Sequence, residues 1–115
     1  MLFANLSRIS AFVRHHLRFV KSSEDWNILI AIGNAQEQGE PIGFKQLVLM
    51  EVASPSTLTR RLKNLSGENI IRRVVQASDG RMVTYTLTKA GLEAFRRYER
   101  FLRAVRWDGR GDAES

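Results

Sequence analysis

The apolar period changes twice between residues 54 and 107, and this limits the fold more than any other feature of the chain. Leu58, Leu62 and Leu65 fall at i, i+4 and i+7, one stripe of an amphipathic helix. Ser54 and Pro55 stand ahead of them, a side-chain cap followed by proline at the first helical position. From Ile70 to Gln76 the residues turn β-branched, and Ala77-Ser78-Asp79-Gly80 has turn chemistry. Val83, Tyr85 and Leu87 then alternate, so this stretch is expected to be a two-stranded hairpin. Thr88 caps a last helix with the stripe Leu92, Phe95, Leu102 and Val105, and Leu87 and Leu92 sit where a hydrophobic staple falls.

Upstream the period is helical throughout. Leu2, Leu6, Ile9, Val13, Leu17 and Val20 are spaced by threes and fours, which predicts an N-terminal helix over 1–21. Ser22 and Ser23 mark a break and cap, with Glu24 and Asp25 in the favourable first turn of a second helix ending near Gly39. Pro41 and Gly43 punctuate before a third helix through Phe44, Leu47, Val48 and Met50. The order is three helices, a fourth after a short turn, a hairpin and a long helix: mainly α with a small β-wing, a winged helix-turn-helix. At 115 residues one domain is expected. We place it over 1–107, with the helix-turn-helix and wing at 41–87, the last helix at 88–107 and a flexible tail at 108–115.

Charge is distributed in blocks. The chain carries 18 basic and 12 acidic residues for a net +6, and 14 of the basic ones are arginine. Residues 1–23 sum to +4, 24–53 to −4, 54–87 to +4, 88–107 to +4 and the tail to −2. Such alternation points to a basic face rather than uniform basicity.

On the fourth helix, at about 100° per residue, Ser56, Arg60 and Lys63 point away from the leucine stripe. Thr57, Thr59 and Asn64 flank them, and the face holds no acid. It suits a major groove, where arginine forks onto guanine and serine or threonine serves any base. The alternative for this helix alone is a solvated face. At the hairpin tip, Arg81 is placed to enter a minor groove, with Asp79 orienting it; the alternative is an ordinary surface ion pair at a turn. Arg72 and Arg73 on the outgoing strand contact phosphates or are simply solvated.

These residues together resemble the MarR family of winged-helix regulators: Ser54-Pro55-Ser56-Thr57-Leu58-Thr59-Arg60-Arg61-Leu62, then Leu65, Ile71-Arg72, Asp79-Gly80-Arg81 and Leu87-Thr88-Lys89-Ala90-Gly91. The resemblance covers about residues 41–107. It implies a cytoplasmic, nucleoid-associated homodimer on double-stranded DNA. The helix contacts carry over to Ser56, Thr57, Thr59 and Arg60, and the wing pair to Asp79 and Arg81. With Ser54, Lys63, Asn64, Arg72 and Arg73 these complete the expected DNA surface. Dimerisation is expected from Leu6, Ile9, Val13 and Leu17 on the first helix and Phe95, Leu102 and Val105 on the last; the alternative is that the last helix's aromatic stripe is plain core against the first helix. The sequence departs from the family at Asn69, where glycine usually precedes the wing, and at Val52, taken as the place of the inter-helix glycine.

Catalysis has little to stand on. His15 and His16 are the only histidines and there is no cysteine; adjacent residues project about 100° apart on a helix and cannot share a ligand set. No phosphate loop or nucleophile motif is present, so neither metal nor cofactor is expected, no run is apolar enough for a membrane span, and a small-molecule effector stays open. The reading is a sequence-specific DNA-binding regulator, a repressor on a pseudo-palindromic operator. The alternatives are a winged-helix protein-interaction module and a non-specific architectural DNA binder.

Overall fold

In a computed structural model, residues 1–75 and 82–107 are described. Their elements are α1 (Leu2–His16), α2 (Ser23–Glu37), α3 (Phe44–Leu49), α4 (Pro55–Gly67), β1 (Ile71–Val75), β2 (Val83–Leu87) and α5 (Lys89–Ala104). Two compact units arise, one of Met1–Arg18 with Glu93–Ser115, the other of Phe19–Leu92.

The second unit holds the winged helix-turn-helix. The Ser22 hydroxyl accepts from the Asp25 amide at 3.2 Å and starts α2. Gln46 Oε1 accepts from the Gly43 amide at 2.9 Å at the start of α3. A Cβ on Gly43 would lie 2.9 Å from the Val83 carbonyl oxygen, so glycine lets α3 begin against the hairpin. β1 and β2 pair antiparallel from Ile71 opposite Leu87 to Val75 opposite Val83. Ile42 adds an isolated bridge on the other side of β2, its carbonyl accepting from Tyr85 at 2.9 Å, which leaves β1 at the outer edge.

The core of this unit includes Ile28, Ile32, Leu47, Leu58, Leu65 and Ile71, all at most 2% exposed. α2 also fastens to β2, where Gln36 Oε1 accepts the Leu87 amide at 2.7 Å. Thr88 performs the expected cap, accepting from the Gly91 amide at 3.0 Å. Its hydroxyl also reaches back to the Asn69 carbonyl at 2.6 Å, joining the entry of the wing to the start of α5. On β2, Thr84 is buried as well as Tyr85 and Leu87, so strict alternation holds only in part.

The first unit is helical. Phe12 of α1 stacks on Phe101 of α5 with ring centroids 4.4 Å apart, and the His16 ring lies 4.3 Å from that of Phe12. Asn5, which is buried, donates from its amide to the Arg106 carbonyl at 2.9 Å. α1 stops at His16 rather than continuing to 21: Leu17 leaves helical geometry at φ −122, ψ 59. The apolar spacing runs on past the helix end because Leu17 is buried although its backbone is no longer helical.

Candidate nucleic-acid interface

α4 starts where Ser54 Oγ accepts the Thr57 amide at 3.3 Å and Pro55 occupies the first turn. The Ser54 hydroxyl, expected at the DNA surface, is thus engaged as the helix cap. Leu58, Leu62 and Leu65 are buried, and this fixes the rotation of the helix. Ser56, Thr59, Arg60, Lys63 and Asn64 are consequently exposed, and Thr57 is half-buried. Thr59 Oγ1 donates to the Pro55 carbonyl at 3.0 Å, which holds its rotamer and leaves the oxygen able to accept.

A groove of about 490 Å³ runs between α4 and the wing. Thr59, Lys63 and Ser66 line it from α4, Arg72 and Arg73 from β1, and Phe44, Leu62, Ile71 and Tyr85 form its apolar part. Neighbouring strand residues point to opposite faces, so a groove touched by both arginines wraps the outer edge of β1. Three cations and no carboxylate line it. Such a groove suits a polyanion whose charges are closely spaced.

The structure brings Thr59, Lys63, Arg72 and Arg73 into this one groove and leaves Ser56, Arg60 and Asn64 on the outer face of α4. Asp79 and Arg81 lie outside the described residues. Phe44, Ser66 and Asn69 belong to the groove as well and were not expected there. Asn69 adopts φ +62, as its tolerance of the left-handed region allows. Between α3 and α4 the left-handed residue is Glu51, at φ +57, one position before the expected Val52.

A buried ion pair sets the pose of α4. Asp25 is wholly buried, and its carboxylate accepts from Arg61 Nη2 at 3.0 Å and Nε at 2.5 Å. The Lys21 amide adds a third donor at 2.8 Å. The two-pronged contact with the planar guanidinium fixes direction as well as distance, tying the entrance of α2 to the middle of α4. Sequence reasoning missed this pair, although Arg61 borders the leucine stripe at about −60° from Leu58. A charge at the edge of a core stripe was the available signal.

On the candidate dimer helices, Leu6 is 40% exposed, whereas Ile9, Val13, Phe95 and Leu102 are half-buried. Leu17 and Val105 are 0% and 4% exposed. Burial within the single chain leaves these two no surface for a partner, which corrects the expectation for them.

Among the described residues no cluster of His, Cys, Asp or Glu is placed to hold a metal ion, and no helix is long and apolar enough to cross a membrane. Residues 21–97 match the family model described as "Transcriptional regulator SarA/Rot". No curated protein matches the chain significantly. Among solved structures, a MarR-family transcriptional regulator from Silicibacter pomeroyi is 23% identical with a TM-score of 0.56, covering 90% of this chain and 67% of its own. A MepR mutant from S. aureus bound to an oligodeoxyribonucleotide is 13% identical with a TM-score of 0.68, covering 97% and 83%. A MarR mutant from E. coli complexed with operator DNA is 17% identical with a TM-score of 0.58, covering 86% and 69%. At these identities the likeness is one of fold, and the fold is the winged helix.

Proposed function

Since the chain belongs to the SarA/Rot family of transcriptional regulators, we propose that it acts by occupying a sequence-specific site on duplex DNA through α4 and the groove beside it. One observation carries this reading: the groove joins Lys63, Arg72 and Arg73 from two elements, without an acid, alongside the exposed polar face of α4. Two relatives of the same fold are bound to an oligodeoxyribonucleotide and to operator DNA, which supports the same use here. Membership of a regulator family sets the enzyme reading aside.

In this reading Ser56, Thr57, Thr59 and Arg60 face base edges, with Asn64 beside them. Lys63, Arg72 and Arg73 neutralise phosphates, and each such contact steepens the salt dependence. A second copy of the chain docks on α1, where Leu2 is 53%, Phe3 78% and Leu6 40% exposed. A twofold dimer requires a pseudo-palindromic site with half-sites about 10 bp apart or a multiple of that. Occupancy of such a site in the nucleoid represses the adjacent promoter.

Selection from random duplexes tests this directly. Enrichment of a pseudo-palindrome is expected, and Arg60→Ala should weaken the selected site by about 1–3 kcal/mol while relaxing its sequence preference. Folded protein that enriches nothing would refute sequence-specific binding. An equal loss for Arg60→Ala on every duplex would reduce Arg60 to a phosphate contact.

A further inference from the structure

Half of the chain's basic residues, and most of its net charge, lie outside the winged-helix unit. Residues 1–18 and 93–115 together hold nine arginines and five acids, +4 of the chain's net +6, and up to residue 107 the count is eight arginines against two glutamates. Folding of these helices does not account for the excess. Like charges at i, i+4 oppose helix formation, and Arg96 and Arg100 stand at that spacing.

The geometry of α5 concentrates the charge. Arg96, Arg100 and Arg103 fall within about 60° of one another around the helix, and all three are exposed. Arg103 is held by Glu99 at 3.0 Å, while among the described residues Arg96 and Arg100 have no carboxylate partner. On the other side of the helix Val105 is buried and Phe101 is stacked on Phe12. Residues 93–107 contain five arginines and no lysine, and the guanidinium fork matches phosphate better than an ammonium does.

We propose that this arginine stripe on α5 docks the phosphate backbone of duplex DNA, without reading its sequence, as a contact additional to α4. The choice of DNA as the polyanion rests on the reading above. From Arg96 to Arg103 the stripe extends about 10 Å at 1.5 Å per residue, a length over which B-DNA presents roughly six charges. The apolar side of α5 is partly engaged within its own unit, with Phe101 stacked on Phe12 and Val105 buried, and this leaves little of it to sink into a bilayer. This favours nucleic acid over a lipid surface.

The test uses the full chain and a random-sequence duplex, with affinity measured by anisotropy between about 50 and 200 mM salt. The triple variant R96Q/R100Q/R103Q should lower the slope of log affinity against log salt by about 3, near 0.9 per lost contact. R96K/R100K/R103K should keep the wild-type slope, and both triples should keep the discrimination between selected and random duplexes. A glutamine triple with unchanged circular dichroism and an unchanged slope overturns the proposal. So does a glutamine triple that loses only its binding to phosphatidylserine vesicles, or to an acidic protein. If the triple does not fold, Arg100→Gln alone should lower the slope by about 0.9; no change overturns the proposal equally. Failure of Arg60→Ala to alter discrimination counts against the reading of α4 and leaves this slope measurement standing.

Discussion

Removing the Arg61 guanidinium strands a carboxylate in the interior, and the structure sets the size of the effect. Asp25 is 0% and the Arg61 side chain 13% exposed, so the pair lies far from the solvent-screened regime in which ion pairs contribute about 0–1 kcal/mol. In Arg61→Ala the carboxylate keeps only the Lys21 amide at 2.8 Å and loses both guanidinium bonds. Breaking one partner of a buried pair costs about 3–5 kcal/mol, a large fraction of the roughly 5–15 kcal/mol that holds a domain together. Urea unfolding followed by circular dichroism should show the midpoint falling by roughly 2 M at an ordinary slope for a small protein. The double variant Asp25→Leu/Arg61→Met should recover most of this loss, since apolar replacement of both partners removes the desolvation penalty along with the attraction. A loss below about 1 kcal/mol in Arg61→Ala, the range of exposed pairs, would refute the reasoning. The pair would then be an incidental contact, and α4 would owe its pose to the leucines alone.

Further expectations concern single positions in the winged-helix unit. Gly91→Ala places a Cβ 2.5 Å from the Ile70 carbonyl oxygen, and the forced shift should cost about 1–3 kcal/mol; an unchanged melting temperature would mean the start of α5 moves freely. Asn69→Ala at φ +62 should lose about 1 kcal/mol in denaturant titration, with Asn69→Gly near wild type, because the left-handed region penalises most side chains. Equal stability of the two variants would contradict that backbone argument. Thr84 is 5% exposed and its hydroxyl has no hydrogen-bond partner among the described residues, so the near-isosteric Thr84→Val should gain about 1 kcal/mol. A loss instead would expose a partner for that hydroxyl.

The sequence by itself determined the element order and the face that α4 presents. Ser22, Ser54 and Thr88 cap their helices through bonds spanning three residues, and Leu58, Leu62 and Leu65 turn α4 by their spacing alone. Both are short-range effects, fixed by the geometry of one helical turn, and so readable from neighbours in the chain. The left-handed Asn69 was legible for the same reason, since a single residue type carries the preference. Tertiary structure decided the rest. Asp25 is written as an ordinary first-turn acid, and only packing brings Arg61 to it across 36 residues. The groove likewise joins Lys63 of α4 to Arg72 and Arg73 of β1, and no local pattern states how a helix and a strand will lie together. Leu17 continues the apolar series of α1, yet its backbone leaves the helix and its side chain is buried. Periodicity records which residues avoid water, and the packing of distant elements decides where the helix stops and which charges meet.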